Sequence, residues 1–156
     1  MPYLDMAELY EEYDFSHGWN SPANRSVIGC QPPVFIGPDF NGRTRFVVVV
    51  GKETAFPYDR AMSSGEITDG LSKTILIVQC TRSDIHWAEP RDLKFDQIDF
   101  SVNGTGDEPA IGSQSGKGAV VAFADGHVTV LSDRVDPSVL KALLTANGGE
   151  ELSETW

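Results

Sequence analysis

The stretch AVVAFADGHVTVL, residues 119–131, constrains the fold more than any other part of the chain. Two apolar runs flank the pair Asp125-Gly126, and two strands joined by such a pair give the strongest short-range hairpin signal a sequence can carry. A two-residue type I′ loop places both Asp125 and Gly126 at positive φ, which Asp tolerates and Gly adopts at little cost. It pairs Ala124 with His127, Phe123 with Val128, Ala122 with Thr129 and Val121 with Val130. Val121, Phe123, Val128 and Val130 then share a core face, while Ala122, Ala124, His127 and Thr129 share a small, half-polar one. The first expectation for Asp125-Gly126 is a structural turn; the second makes Asp125 a cation ligand.

The flanking sequence supplies the remaining elements. PYLDMAELYEEYDF, residues 2–15, spaces Tyr3, Met6, Tyr10 and Tyr13 at steps of three and four, which predicts a helix with an aromatic stripe and an acidic opposite face. Gly18, Asn20, Ser21 and Pro22 end it. TRFVVVVG, residues 44–51, predicts a strand buried on both faces. ITDGLSKTILIVQC, residues 67–80, predicts a turn at Asp69-Gly70 and then a strand over Thr74–Cys80. SDIHWAEPRDL, residues 83–93, reads as a short extended piece, and KFDQIDF, 94–100, as either a strand or a helical turn. Residues 101–118 are rich in glycine and serine and are expected to form a flexible loop.

The clearest helix covers 137–146. Asp136 suits its N-cap, Pro137 its first position, and Val139, Leu140, Leu143 and Leu144 its apolar stripe, with Asn147-Gly148 as the stop. No long crossover helix separates Val47–Val50 from Thr74–Cys80, so the sheet should be mainly antiparallel. The expectation is one α+β domain over 1–156, with an N-terminal helix, a C-terminal helix and a mainly antiparallel sheet.

Charge narrows the partners. Twelve basic residues stand against 23 acidic ones, a formal charge of −11, which opposes nucleic acid and anionic membranes. No run reaches the roughly 18 apolar residues of a membrane span and no signal peptide opens the chain, so the sequence as it stands reads as a soluble protein. Cys30 and Cys80 fit no CxxC or zinc spacing; two unpaired thiols are expected, a disulfide being the alternative.

Chemistry is sparse. There is no GxSxG, and His17, His86 and His127 are far apart in sequence. GSQSGKGA, residues 112–119, fails as a phosphate loop: Gly112 and Gly116 are one residue too close, Gly118 occupies the hydroxyl position, and a strand follows. Asp125 and Asp69 remain as metal candidates, for which calcium is the suitable cation, though no twelve-residue calcium loop is present. A soluble metal-dependent hydrolase using Asp or Glu is therefore the rival function. Trp87 and Glu89, in WAEP, fall on one side of an extended piece; the first expectation is a packed Trp with a solvent-facing Glu at its rim, the second is half of a protein-binding patch, with Trp19 as a further candidate.

Several phrases together resemble the prepilin-like family of planctomycetes known as domain of unknown function 1559, which carries a processing-associated motif of His, nine residues, then Asp-Gly. They are PYLDMAELYEEYDF, WNSPANR, TAFP, ITDGLSKTILIVQ, WAEPRDL and VAFADGHVTVLSDRVDPSVLKALLTANGGE, in the family's order over nearly the whole chain. The resemblance implies the non-enzymatic globular head of a pseudopilin-like cell-envelope protein of a type II secretion-like system, with protein partners or self-assembly and no cofactor. Family members carry an apolar N-terminal anchor helix, which this sequence lacks. Ser115 stands where the motif has its histidine, and GPD at 37–39 stands where a cysteine is common. The expected location is the cell envelope or periplasm if the chain is a piece of an anchored parent, and the cytoplasm if it is complete.

Overall fold

Strand β3, Ile75–Thr81, organises the sheet of this computed structural model, which describes residues 4–35, 42–106 and 109–152. Its apolar, β-branched run suits a strand with neighbours on both sides. Val78 is wholly buried and pairs with Val47 of β1, Phe46–Val47, and with Val121 of β6, Ala119–Phe123. β7, Val128–Leu131, extends the sheet beyond β6, and β5, Ala110–Ile111, pairs with the end of β3. All these pairings are antiparallel. A separate parallel pair joins β2, Val49–Val50, to β4, Leu93–Lys94.

The chain forms two compact units. One comprises residues 1–44 and 84–91, the other 45–83 and 92–156. The single domain expected over 1–156 thus divides, because residues 84–91 leave the end of β3 and pack with the N-terminal segment. The fold is α+β, with a mostly antiparallel sheet and helices toward both ends of the chain.

In the second unit, α3 runs over Pro137–Leu143. The Asp136 carboxylate accepts the Ser138 amide at 2.8 Å, and Leu140 and Leu143 are fully buried. The helix stops three residues short of the expected 146. Leu144, Thr145 and Ala146 continue as buried non-helical chain, the Ala146 amide donating to Glu53 O and its carbonyl accepting from Asp69 N. The expected valine strand at 44–51 breaks at Val48, whose amide donates to the Asp92 carboxylate; β1 and β2 therefore belong to different sheets. Residues 101–118 are not loop throughout. β5 lies within them, with Ala110 and Ile111 wholly buried, and Asn103 holds the approach by accepting the Ser113 amide. Residues 95–97 form a 3-10 turn after β4.

The first unit has little regular structure. α1 spans only Ala7–Glu11 of the expected 2–15, of which Pro2 and Tyr3 lie outside the described residues, and α2 covers Arg25–Ile28 after a 3-10 turn at Pro22–Asn24. Three features shorten α1. Met6 offers no side-chain cap, Glu8 faces like charges at Glu11 and Glu12, and no helical residue is buried. What fixes the following chain is Asn24, which is fully buried. Its Oδ1 accepts the Asp14 amide at 2.8 Å, and its Nδ2 donates to Asp14 O and Gly18 O at 3.0 and 3.1 Å. Cys30 is exposed and Cys80 buried, and neither forms a disulfide.

Candidate functional site

The hairpin end corrects the sequence reading by one residue. Val121 pairs with Thr129 and Ala122 with Val128, so Phe123 and His127 close a three-residue loop where Ala124 and His127 were expected to close a two-residue one. The Gly126 amide donates to Phe123 O at 2.9 Å, closing a turn over 123–126, and only Gly126 takes positive φ, +93°. This is the turn-plus-bulge solution, with glycine at the left-handed position. Val121 and Phe123 are buried, but Val128 and Val130 move to the opposite face and are 63 % and 62 % exposed. The expected shared core face of Val121, Phe123, Val128 and Val130 does not exist.

Asp125 serves this loop. One carboxylate oxygen accepts the His127 amide at 3.0 Å and the His127 Nδ1–H at 2.6 Å. These bonds, the amide's first, hold the carboxyl below the usual range. The His127 ring in turn stacks on Phe123, centroids 4.3 Å apart and planes 8° from parallel.

Asp69 is likewise committed to the backbone. Its two oxygens accept the amides of Gly148 and Gly149 at 2.8 and 2.9 Å, which secures the chain after α3. Gly70 takes φ of +103° beside it. Each metal candidate thus has a structural role in holding backbone amides. Among the described residues, no group of three or more His, Cys, Asp and Glu is placed to hold a metal ion.

The sheet leaves one apolar face open. Register places Val128 and Val130 of β7 beside Ala122 and Val120 of β6, with Ile77 of β3 next to Ala122. Ile77, Val128 and Val130 are exposed, and Phe46 of β1 is exposed at the other end of the sheet. β7 pairs only with β6, so its far edge carries no partner strand among the described residues.

The expected patch residues lie in the first unit and have different roles. Residues 86–89 form a tight turn, not an extended piece: Glu89 N donates to His86 O at 2.9 Å, and the Glu89 carboxylate accepts His86 N at 3.2 Å. Trp87 is only 7 % exposed and donates its indole N–H to Ile28 O at 2.9 Å. Arg91 bonds both Glu89 and Asp84, and these bonds hold both carboxyls below their usual range. Trp19 stacks on His86 at 5.1 Å. Burial pushes the His86 imidazole below its ordinary value, against the pull of Glu89, and its Nδ1 accepts the Ala88 amide.

A groove that the sequence reading missed lies beside this turn. Leu9, Tyr10, Tyr13, Phe15, Val27, Trp87 and Ala88 line a cavity of about 290 Å³ within the first unit. The Phe15 ring sits 5.1 Å from that of Tyr10 and 4.8 Å from that of Tyr13, with both pairs tilted. Tyr10 and Tyr13 were visible in sequence as a helical stripe. Phe15 and Ala88 carried no such signal, because the groove depends on the chain turn held by Asn24.

No helix among the described residues is long and apolar enough to cross a membrane. No protein-family model, curated protein or solved structure matches the chain.

Proposed function

We propose that this chain is the globular head of a pseudopilin-like cell-envelope protein, that it assembles with further copies of itself, and that it performs no catalysis. The reading joins the ordered phrases of the prepilin-like family to one structural observation, the open apolar face of the sheet ending at the unpaired edge of β7. That face is uncharged across Phe46, Ile77, Val120, Ala122, Val128 and Val130. A charged partner would gain nothing there. A second copy presents the same uncharged surface, and two β7 edges can pair antiparallel about a two-fold axis, since such an interface is self-complementary.

Sedimentation velocity at rising protein concentration tests the assembly. The wild-type chain should form dimers or larger species, and the double variant Val128→Lys, Val130→Lys should remain monomeric with an unchanged melting temperature. Wild-type protein that stays monomeric up to about 1 mM, the weak end of the specific range, removes self-assembly from the proposal. Fractionation of cells producing the native gene product tests location, and recovery in the cytosol alone removes the envelope.

A further inference from the structure

We propose that the aromatic groove of the first unit binds a short basic amphipathic segment of another protein, seating its apolar side chains against Leu9, Val27 and Trp87 and its Lys or Arg groups against Tyr10, Tyr13 and Phe15. This goes beyond self-assembly, since it concerns a different surface and a partner of opposite charge. The groove's walls are apolar and its volume, about 290 Å³, lies at the small end for an organic ligand but suits a few side chains. Phe15 is 67 % exposed, an unusual position for a phenylalanine that already touches two tyrosines. Ring faces set this way attract a cation placed over them.

Charge selects the same occupant. Glu8, Glu11 and Glu12 alternate in sequence with Leu9, Tyr10 and Tyr13, and all three are exposed. None forms an ion pair with the described residues. The first unit holds eight acidic residues against three arginines, and one of these, Arg91, is bound to Asp84 and Glu89. The negative charge of this unit disfavours acidic peptides, nucleic acid and anionic lipid, and speeds the approach of a basic segment to its aromatic groove.

The test uses three synthetic octapeptides: Lys-Leu-Leu-Lys-Lys-Leu-Leu-Lys, its glutamate counterpart with every Lys replaced by Glu, and its serine counterpart with every Leu replaced by Ser. Binding is followed by amide chemical shifts. The Lys/Leu peptide should bind, weaken with added salt, and shift residues 8–15 and 87–88. The Lys/Ser peptide should bind about tenfold more weakly, and the Glu/Leu peptide should not bind. Phe15→Ala and the pair Glu11→Gln, Glu12→Gln should each weaken the Lys/Leu peptide by about tenfold, with melting temperature unchanged because these side chains are exposed. Equal binding of the Lys/Leu and Lys/Ser peptides, or indifference to Phe15→Ala, reduces the effect to diffuse charge and overturns the proposal. Binding of the Glu/Leu peptide, or of none, overturns it too. These variants leave Val128 and Val130 untouched, so failure here is separate from failure of self-assembly.

Discussion

The two units are held by opposite means. The second is built on side chains hidden from water: Val78, Val121, Phe123, Leu140 and Leu143 are essentially inaccessible, and its regular strands satisfy one another's backbone groups. The first has few buried aliphatic residues among those described, chiefly Val27 and Ile85, and depends on a buried amide, Asn24, and a tryptophan tied by its N–H to a carbonyl. Apolar burial is forgiving of direction, whereas a hydrogen-bonded hub is not. The second unit should therefore lose stability in proportion to the volume removed, and the first should fail at single polar positions.

The largest effect should come from Phe123→Ala, which empties the centre of the sheet core and should cost about 3–5 kcal/mol. Hydrogen exchange should show loss of protection across β3, β6 and β7. Next, Gly118→Ala should cost on the order of 3 kcal/mol, since its Cβ would stand 2.3 Å from Leu131 O at a φ of +122°. Chemical denaturation would measure it. Asn24→Ala should cost about 2 kcal/mol, the price of leaving the Asp14 and Gly18 groups without their partner. Its exchange signature should be confined to residues 14–24 while β3 and β6 stay protected. Equal loss in the sheet would break the contrast between the units. Gly126→Ala should cost only about 1 kcal/mol, because nothing lies within 4 Å of the added carbon and only the backbone is strained.

Acidification sharpens the contrast further, with smaller effects. Burial depresses the folded-state value of His86, so its contribution is intact above the imidazole's unfolded value of about 6.5 and is lost as pH falls below it toward the folded value. Only the first unit should weaken at that stage. Asp14, Asp84 and Glu89 in the first unit, and Glu66, Asp125 and Asp136 in the second, all have folded values below their ordinary ones. Their contributions hold above about pH 4 and are lost as pH falls through the depressed values, in both units. These groups are exposed or half-buried at the surface, so each effect is modest. Exchange measured between about pH 7 and pH 3 should show the first unit loosening before the second.

The same contrast explains what could be read from the chain. Ala119–Phe123 and Pro137–Leu143 announce themselves because their apolar residues recur at the spacing of a strand and of a helix, and Ile75–Thr81 because Ile75–Val78 form a continuous apolar run. The first unit offers no period. Tyr10 and Tyr13 mimic a long helix, but the chain leaves α1 at Glu11 to reach Asn24, a contact ten residues away that no local pattern encodes. Asp69 was legible as a turn residue; its grip on Gly148 and Gly149 depends on tertiary placement. The groove was half visible, through its tyrosines; its other wall, Trp87, is packed, the first of the two readings of WAEP.

The hairpin loop of three residues acts as a parity bit. Whether a loop contains an odd or even number of residues decides which side of the sheet each residue of the returning strand occupies. Here an odd loop turns Val128 and Val130 outward, although their spacing matches that of the inward Val121 and Phe123. Removing a single loop residue would invert the whole strand, trading an apolar outer surface for a thicker interior. A chain with this arithmetic can show or hide its apolar side chains by one deletion, with every residue of β7 kept.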